Sequence, residues 1–498
     1  MTIDVGLRLA PGDTARTRIM APWLAAAAVL AAALLLRWIV PFNVDVSWWL
    51  IVGERVLDGK RLYIDILETN PPMAGVVYFL GVVLARALDL RPEVVTLALV
   101  FALIAASLAV TWRMLRGRPA AAPLLVWALA LLTLLPMYDF GQREHLALIA
   151  LLPALAGYIR RADRRPMSLA AVLATGISAA ITMSFKPYFA LAVGACILAA
   201  AFHARQWRVL FAAENWIAGA LVVIYSAWLY LAFPDYFTLI YPMVRDVYLL
   251  LTAPTIALLI SAAMTLCIAS VLTALALQRG RKPDAVLVVL LAASFGFAVA
   301  FVVQRKGWGY HAYPMVALPL MALGYAIATI DRAAPRWRQW RLVAAGVAAV
   351  LFVNGCLWFN ASVDIRDLEK AVARLGPHPK ILMLSGAATI GHPLVRDVGG
   401  TWVSRQEALL IREIVRRARL DTTFDAATSA RLDAQVARER DGLVEDFRKL
   451  PPDVVLVDNR DSDWSAWAAA DPELNALLKP YRLVQTVNGI DVLQRTTP

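Results

Sequence analysis

Apolar segments of about 20 residues recur along most of the chain and are separated by short basic loops. A run of this length is what an α-helix needs to cross the hydrocarbon core of a bilayer. The sequence is 60% hydrophobic and only 17% charged, whereas a soluble domain carries roughly a quarter charged residues. The sequence therefore predicts a multi-pass α-helical integral membrane protein.

Hydropathy predicts about eleven transmembrane helices. They are expected near residues 22–40, 93–112, 120–137, 145–159, 167–184, 188–203, 212–232, 255–277, 285–303, 314–330 and 342–359. The basic loops between them, such as Arg113–Arg118 and Arg160–Arg165, are expected to face the cytoplasm. The same rule puts the basic N-terminus, which contains Arg8, in the cytoplasm ahead of an uncleaved first span.

The apolar segment Pro72–Leu88 conflicts with this orientation, because a crossing there would reverse the side of the N-terminus or of the Arg113–Arg118 loop. We therefore expect it to lie at the membrane interface or to re-enter, so that residues 41–92 form one extracytoplasmic loop. An ordinary second span is the alternative. After Phe359 the composition becomes charged and mixed, which predicts a soluble extracytoplasmic α/β domain over 360–498 behind a membrane module over 1–359.

The net charge of +12 does not indicate a nucleic-acid partner, because the basic residues cluster in short loops between apolar runs. Membrane lipids are the expected neighbours of such loops. The three cysteines, Cys196, Cys267 and Cys356, all lie in apolar stretches. A cysteine in such a place behaves as a small hydrophobic residue, so neither a disulfide framework nor a metal cluster is expected.

The first extracytoplasmic loop combines carboxylates with aromatic side chains. Asp45 precedes a predicted helix that carries Trp48 and Trp49, and Asp65 and Glu68 follow it. A carboxylate fixed beside such a helix can act as a general base toward an acceptor hydroxyl, so Asp45 and Glu68 are candidate catalytic residues. Simple solvation at the membrane surface is the alternative, and it weighs more for Asp65 than for Asp45.

A second polar segment, YDFGQREHL, is confined between two apolar helices. Charged groups at the boundary of a span cost free energy unless they are paired, which makes them candidates for function. Asp139 and Glu144 are the two candidates for a further catalytic carboxylate, and the choice between them is open. A surface cluster among lipid headgroups is the alternative.

Cations and hydrogen-bond donors gather in three further places on the same predicted side of the membrane. The segment QRKGWGYHAYP provides a donor set suited to phosphate, and SFKPY and YPMVRDVY add one cation each. Side chains that reach lipid phosphates from the interface are the alternative. The candidate phosphate-binding residues are Arg143, Lys186, Arg245, Lys306, Tyr310 and His311.

Signatures of other chemistries are missing from the sequence. It contains no Walker A motif, no nucleophile elbow and no HExxH, and its five histidines are not spaced as metal ligands. We therefore predict no metal site. A divalent cation held by Asp65 or Glu68 is left open as the alternative.

The order and predicted sidedness of these motifs resemble the GT-C superfamily of polyprenyl-phosphate-sugar-dependent glycosyltransferases. The most similar branch contains the lipid A aminoarabinose transferase and the protein O-mannosyltransferases, and the resemblance runs over roughly residues 1–330, with the C-terminal domain alike in layout. It implies that Asp45 is the catalytic carboxylate and that ETNPPMAG, Glu68–Gly75, opens a juxtamembrane helix. Asp139 or Glu144 matches the family's second acidic position.

The same resemblance implies that Lys186, in TMSFKPYFALAV, and the segment with Lys306 and Tyr310 contact the donor phosphate. Two positions depart from the family pattern. Val46 stands where an acidic residue is common, and segment 233–254 lacks the histidine that would complete a metal site with Glu68. The resemblance therefore leaves metal dependence undecided.

The function implied by the resemblance is inverting transfer of a sugar from a polyprenyl-phosphate donor to a hydroxyl of a glycan, lipid or protein acceptor. It would take place on the outer face of a bacterial inner membrane, in the synthesis of cell-envelope glycans or glycolipids. Two other classes are weighed against it. One is a non-catalytic membrane partner of a polysaccharide synthase. The other is a transporter of lipid-linked glycans, which the small number of charges within the spans disfavours.

Overall fold

The computed structural model describes residues 11–496 apart from Pro283, Arg332 and Ala334. Contacts between Cα atoms divide the chain into two compact units. The first unit comprises the chain up to Pro41, Phe101–Val222 and Thr255–Ala361, and the second comprises Phe42–Val100, Val223–Pro254 and the chain from Ser362. Arg8 and Arg332, which belong to basic segments predicted to face the cytoplasm, lie outside the described residues.

The helices of the first three quarters of the chain alternate between the two units. In chain order they are α1 (Pro11–Ile39), α2 (Val44–Leu57), α3 (Val76–Leu88), α4 (Pro92–Leu115), α5 (Ala121–Thr133), α6 (Arg143–Ala162), α7 (Leu169–Phe185), α8 (Ala190–Ala204), α9 (Ala213–Ala232), α10 (Tyr241–Asp246), α11 (Thr255–Leu259), α12 (Ala262–Leu277), α13 (Ala285–Gln304), α14 (Tyr313–Ala328) and α15 (Trp337–Phe359). The boundary between the units falls within α4 and within α9.

Among the described residues, seven helical segments are long and apolar enough to cross a membrane. They are Pro22–Ile39, Pro92–Leu115, Pro187–Ala204, Trp207–Ala232, Ala285–Gln304, Gly309–Ala328 and Trp337–Phe359. Four apolar helical segments are shorter: Pro72–Leu88, Ala121–Thr133, Leu169–Phe185 and Ala262–Leu277. The predicted helical membrane architecture is therefore confirmed, whereas the count of eleven spans is not. Helix α6, predicted as a span, carries charged residues at both ends.

Small residues allow the helices of the first unit to approach one another closely. A Cβ atom on Gly296 of α13 would lie 2.4 Å from Cα of Ala192 in α8. A Cβ on Gly157 of α6 would lie 2.0 Å from the hydroxyl of Thr175 in α7. Such contacts replace the hydrophobic effect as the source of helix association in lipid. The segment 313–323 of α14 is entirely buried, which makes α14 the central helix of this unit.

The second unit contains a five-stranded sheet and the remaining helices. The strands are β1 (Lys380–Leu384), β2 (Thr401–Trp402), β3 (Val454–Asp458), β4 (Tyr481–Val487) and β5 (Ile490–Arg495). The helices are α16 (Arg366–Ala373), α17 (Ala388–Gly391), α18 (Leu394–Asp397), α19 (Leu410–Asp421), α20 (Ala426–Lys449), α21 (Trp464–Ala470) and α22 (Pro472–Leu478). The strand order is β2-β1-β3-β5-β4, with β1 parallel to β2 and β3, and β5 antiparallel to β3 and β4.

The sheet forms where the apolar runs of the C-terminal segment predicted strands. All five residues of β3 are buried, which fits its position as the central strand of the sheet. Asn488 and Gly489 have φ values of 49° and 80° and close the β4–β5 hairpin, as an Asn-Gly pair does in a type I′ turn. The two-residue strand β2 escapes prediction because it is too short to show an alternating pattern.

Two apolar clusters hold the second unit together. In one, Leu382 and Val455 of the sheet pack with Leu443 and Phe447 of α20. In the other, Val247, from the segment that follows α9, packs against residues of α19 and α20. Segments 42–100 and 223–254 thus belong to the same compact unit as the residues from 362 onward.

Candidate active site

The segment between α5 and α6 buries a row of polar side chains in the first unit. Its members Asp139, Gln142, Arg143, Glu144 and His145 are each at most 7% exposed. Backbone geometry explains the tight path, because Gly141 has a φ of 84°, which a residue without a Cβ adopts without strain. The amide of Arg143 donates to the side chain of Gln142, which caps α6.

His145 has a structural role in this segment. Its Nδ1 accepts a hydrogen bond from the amide of Gly141 at 3.0 Å, and its Nε2 donates to the carbonyl of Leu132 at 2.7 Å. Arg37 of α1 supports the same turn by donating to the carbonyl of Met137 at 2.6 Å, with its guanidinium 4.7 Å from the Phe140 ring. The turn is therefore fixed from two helices.

Glu144, Lys186 and His311 meet in the first unit although they come from three separate segments. Lys186 follows α7, and its Nζ donates to Oε1 of Glu144 at 2.5 Å and to Nε2 of His311 at 2.8 Å. The His311 ring lies in the 3₁₀ turn Gly309–Ala312 that precedes α14, and its Nε2 is 3.5 Å from Oε1 of Glu144. Glu144, one of the two predicted acidic candidates, therefore pairs with a predicted cation.

Two more predicted residues belong to this neighbourhood. Lys186 Nζ lies 5.7 Å from the centre of the Tyr310 ring, within the range of a cation–π contact. Burial, together with the charge of Lys186, lowers the pKa of Lys306 to about 8. Arg143 and Lys306 both act electrostatically on His311. We call Arg143, Glu144, Lys186, Lys306 and His311 the basic cluster.

Glu144 and His311 of the basic cluster each have a buried atom that lacks a hydrogen-bonding partner among the described residues. These atoms are Oε2 of Glu144 and Nδ1 of His311, whose side chains are 1% and 2% exposed. Because Nε2 of His311 accepts from Lys186, the neutral ring carries its proton on Nδ1. A buried N–H without an acceptor costs free energy, so this donor is available to a ligand oxygen.

Asp45 lies in the first turn of α2, in the second unit. The side chain of Asn43 caps this helix by accepting a hydrogen bond from the amide of Asp45 at 2.9 Å. A carboxylate in the first turn interacts favourably with the helix dipole. The side chain of Asp45 is partly exposed, and the four residues that follow Val46 are buried. The helix that carries this half-buried carboxylate is therefore anchored by a continuous buried segment.

Glu68 is buried at 4% exposure and is held by neutral donors. Its Oε2 accepts from the indole N–H of Trp48 in α2 at 2.7 Å. Its Oε1 accepts from the amide and the side chain of Asn70, at 2.8 and 2.6 Å. Glu68 thereby ties the turn before Pro72 to the helix that carries Asp45.

Two tyrosines, Tyr63 and Tyr236, lie near enough to Glu68 to respond to its charge. Burial and the charge of Glu68 raise the pKa of Tyr63 well above its usual range, and the Tyr63 hydroxyl donates to the carbonyl of Asn70 at 2.8 Å. Burial raises the pKa of Tyr236 to about 12, with smaller contributions from Tyr225 and Glu68. Tyr236 comes from segment 233–254, the segment that lacks the histidine needed to complete a metal site with Glu68.

The donor set around Glu68 does not fit a metal ion. Among the described residues no group of three or more histidine, cysteine, aspartate or glutamate side chains is arranged to hold one. N–H groups occupy both oxygens of Glu68. Asp65 is engaged by Arg61, whose amide donates to it at 2.9 Å. Neither residue offers the convergent oxygens that a divalent cation requires.

Arg245 is predicted to bind phosphate, but its guanidinium is bound to a neighbour. It donates to both carboxylate oxygens of Asp246, at 2.8 and 3.2 Å, and its side chain is 57% exposed.

Asp139 is buried at 7% in the turn before α6.

Sequence reasoning missed several residues that hold Glu68 or the turn before α6 in place. Trp48, Asn70 and Tyr236 were not among the predicted site residues, and neither was Arg37. A lone arginine near the end of an apolar helix was the only available signal, and it pointed to Arg37. Of the partners of Glu68, Trp48 belongs to the aromatic-rich helix noted in the sequence, whereas Asn70 gave no signal, because an amide side chain is unremarkable in a loop.

The fold is similar to that of ArnT. Two crystal structures of ArnT from Cupriavidus metallidurans, one bound to undecaprenyl phosphate and one in the apo state, superpose on the chain with TM-scores of 0.56 and 0.57. Both comparisons cover 95% of this chain, and 97% and 98% of the respective ArnT chains, at 14% sequence identity. At this identity the likeness establishes an ArnT-like fold. No protein-family model and no curated protein matches the sequence.

Proposed function

We propose that this protein is an inverting glycosyltransferase that moves a sugar from a polyprenyl-phosphate donor to an acceptor hydroxyl. The basic cluster is the observation that carries the proposal. A phosphate group could use its buried or partly buried cations and the unpartnered Nδ1–H of His311. The fold supports the same assignment, since ArnT was crystallised with undecaprenyl phosphate.

The charge of the basic cluster suits the group that leaves. Three cations (Arg143, Lys186 and Lys306) and one carboxylate (Glu144) leave an excess of two positive charges when Lys306 is protonated. A sugar linked through phosphate to a polyprenol is a phosphodiester with one negative charge. The departing polyprenyl phosphate is a monoester, whose charge approaches −2 at neutral pH. Fixed cations therefore stabilise the transition state, in which this charge develops, more than the substrate.

Asp45 would supply the base. Its carboxylate removes the proton of the acceptor hydroxyl while the hydroxyl oxygen attacks the anomeric carbon from the side opposite the phosphate. The bond from carbon to the phosphate oxygen breaks, and its electron pair leaves with the polyprenyl phosphate. The anomeric configuration is inverted. Glu68 has no role in proton transfer in this scheme, because neutral donors hold both of its oxygens.

Placement on the outer face of the inner membrane belongs to the same proposal. Nucleotide sugars are not available there, whereas sugars on polyprenyl phosphates are. The acceptor would be a glycan, lipid or protein of the cell envelope. The segments that carry Asp45 and the basic cluster would then open to the periplasm.

The test begins with the lipid-linked sugars of cells that lack this protein. One polyprenyl-phosphate sugar should accumulate, and mass spectrometry would identify it. Purified wild-type protein in vesicles should transfer that sugar, and Asp45→Asn should reduce the turnover by roughly two to four orders of magnitude while the protein stays folded and inserted. Asp58→Asn is the matched control, since Asp58 ends the same helix and forms an exposed pair with Arg86.

Near-normal turnover of the Asp45→Asn variant would contradict the role of Asp45. A product that is lost only when whole segments are deleted, and in none of the single-residue variants, would favour the non-catalytic partner instead. Accumulation of the lipid-linked glycan on the cytoplasmic side alone would favour the transporter.

A further inference from the structure

The second unit surrounds α2 with contacts from a distant part of the chain. The segment His392–Gln406, which contains α18 and β2, contacts Trp48, Glu54 and Arg55 of α2 and also Leu67 in the loop that follows α2. We call it the support segment. Its contacts extend from the middle of α2 to the helix end opposite Asp45 and on to the residue next to Glu68.

Arg396 makes the most extensive of these contacts. Its two terminal nitrogens donate to both carboxylate oxygens of Glu54 in α2, at 2.8 and 3.0 Å. Its Nε donates to Glu93 at the start of α4, at 2.6 Å. The Arg396 side chain is only 11% exposed. One guanidinium therefore joins α2 to α4 through three charge-assisted hydrogen bonds, and its planar fork makes the geometry specific.

A second arginine lies on α2 itself and donates hydrogen bonds to the support segment. Arg55, the residue after Glu54, extends from α2 to the support segment and donates to the carbonyls of Ser404, at 2.7 Å, and Trp402. Burial lowers the pKa of Arg55 to about 10, so it remains charged at neutral pH. Two adjacent residues of α2 thus bind the support segment: Glu54 accepts hydrogen bonds from it and Arg55 donates hydrogen bonds to it.

Aromatic contacts continue the same arrangement toward Asp45. The ring of His392 lies edge-on to Trp48 at 5.5 Å and packs on Trp402 at 4.5 Å. Trp48 is also the donor to Glu68. The amide of Leu67 donates to the carbonyl of Arg405 at 2.8 Å, which ties the residue before Glu68 to the support segment.

We propose that Arg396 is a positioning residue, which orients the Asp45 carboxylate by fixing α2 from its far end; the proposal rests on the function proposed above. A helix of 14 residues is about 21 Å long and moves as a rigid rod. A small rotation at Glu54 therefore displaces Asp45, nine residues away along the helix. A small displacement of the Asp45 carboxylate lowers turnover, because the base no longer meets the acceptor hydroxyl correctly, but it does not weaken the binding of the donor phosphate.

The test compares Arg396→Met and Arg396→Lys in the full-length protein, with Arg448→Met as the control. Arg448 is an exposed arginine of α20 that pairs with Glu473 and lies outside the support segment. Arg396→Met should lower kcat about tenfold and leave the donor KM within about twofold. Arg396→Lys keeps the charge but not the fork, so it should recover part of the loss. The control should behave as wild type.

Two further measurements separate positioning from general damage. Hydrogen exchange of residues 44–57 should become faster in Arg396→Met, while that of residues 143–162 in α6 stays unchanged. In an Asp45→Asn background Arg396→Met should cause little additional loss, because the orientation of a missing base no longer matters. If Arg396→Met does not insert into membranes, Glu54→Gln removes the same ion pair more gently and should change exchange in the same direction.

Unchanged exchange of residues 44–57 in these variants would overturn the proposal, as would an equal loss of turnover with and without Asp45. A failure of the proposed function is distinguishable from both outcomes. In that case the wild-type protein transfers nothing from the accumulated lipid, while hydrogen exchange still tests whether Arg396 fixes α2.

Discussion

Two buried glutamates, Glu144 in the basic cluster of the first unit and Glu68 in the loop after α2 of the second unit, have partners of different kinds. Glu144 meets the cation of Lys186, whereas Glu68 meets N–H groups of Trp48 and Asn70. An ion pair compensates charge, and its effect depends on which side chains are protonated. Neutral donors fix a carboxylate in place and leave its charge intact. Burial alone therefore does not distinguish a carboxylate that belongs to a charged site from one that anchors a loop.

Removal of the central cation should produce the largest effect. Lys186→Met leaves Glu144 buried without its partner, a change that costs about 3–5 kcal/mol of stability. It should also weaken the binding of undecaprenyl phosphate to the purified protein by roughly two orders of magnitude. Thermal unfolding and a binding titration measure the two effects.

Lys370→Met is the control for that experiment, because Lys370 forms an exposed pair with Asp367. If the Lys186→Met variant binds undecaprenyl phosphate within about threefold of wild type, Lys186 does not contact the phosphate and is only a structural partner of Glu144.

Glu68→Gln tests the other side of the comparison. A glutamine puts an N–H₂ group where Glu68 accepts from Asn70 or from Trp48, so at least one donor loses its acceptor. An unsatisfied buried group costs about 1–3 kcal/mol, and the shifted turn should lower turnover about tenfold. The binding of undecaprenyl phosphate should stay unchanged. Weaker binding with normal turnover would instead assign Glu68 to the phosphate site.

The pH dependence of phosphate binding sharpens the description of the basic cluster. Lys306 is cationic below its pKa of about 8 and neutral above it. The affinity for undecaprenyl phosphate should therefore be full near pH 7 and fall about five- to tenfold as the pH rises to about 9. Lys306→Arg keeps the cation at both pH values and should flatten this profile. A profile that is the same in both proteins would exclude Lys306 from the phosphate contact.

Arg245→Ala should have the smallest effect. Arg245 is more than half exposed and already donates to both oxygens of Asp246, so its loss should change phosphate binding by less than about twofold. A tenfold or larger loss would mean that the guanidinium leaves Asp246 for the ligand.

Much of the candidate site could be read from the sequence because its residues stand out locally. Lys186, Lys306 and Glu144 are charged residues beside long apolar helices, where an unpaired charge is costly. Asp45 stands out for a related reason, since it opens an aromatic-rich helix after an apolar run. The choice between Asp139 and Glu144 could not be made, because both lie in one short segment and differ only in what they meet.

The sequence by itself determined the elements of this protein: apolar runs of helical length, the strands of the C-terminal segment and the charged residues that interrupt or flank them. These follow from local periodicity and from the cost of burying charge, which are properties of neighbouring residues. Only the tertiary structure decided the partnerships. Lys186 and His311 are 125 positions apart, and Arg396 and Glu54 are 342 apart. Hydrogen bonds and ion pairs act over a few ångströms, so they exist only once the packing of helices and sheet has brought such distant segments together.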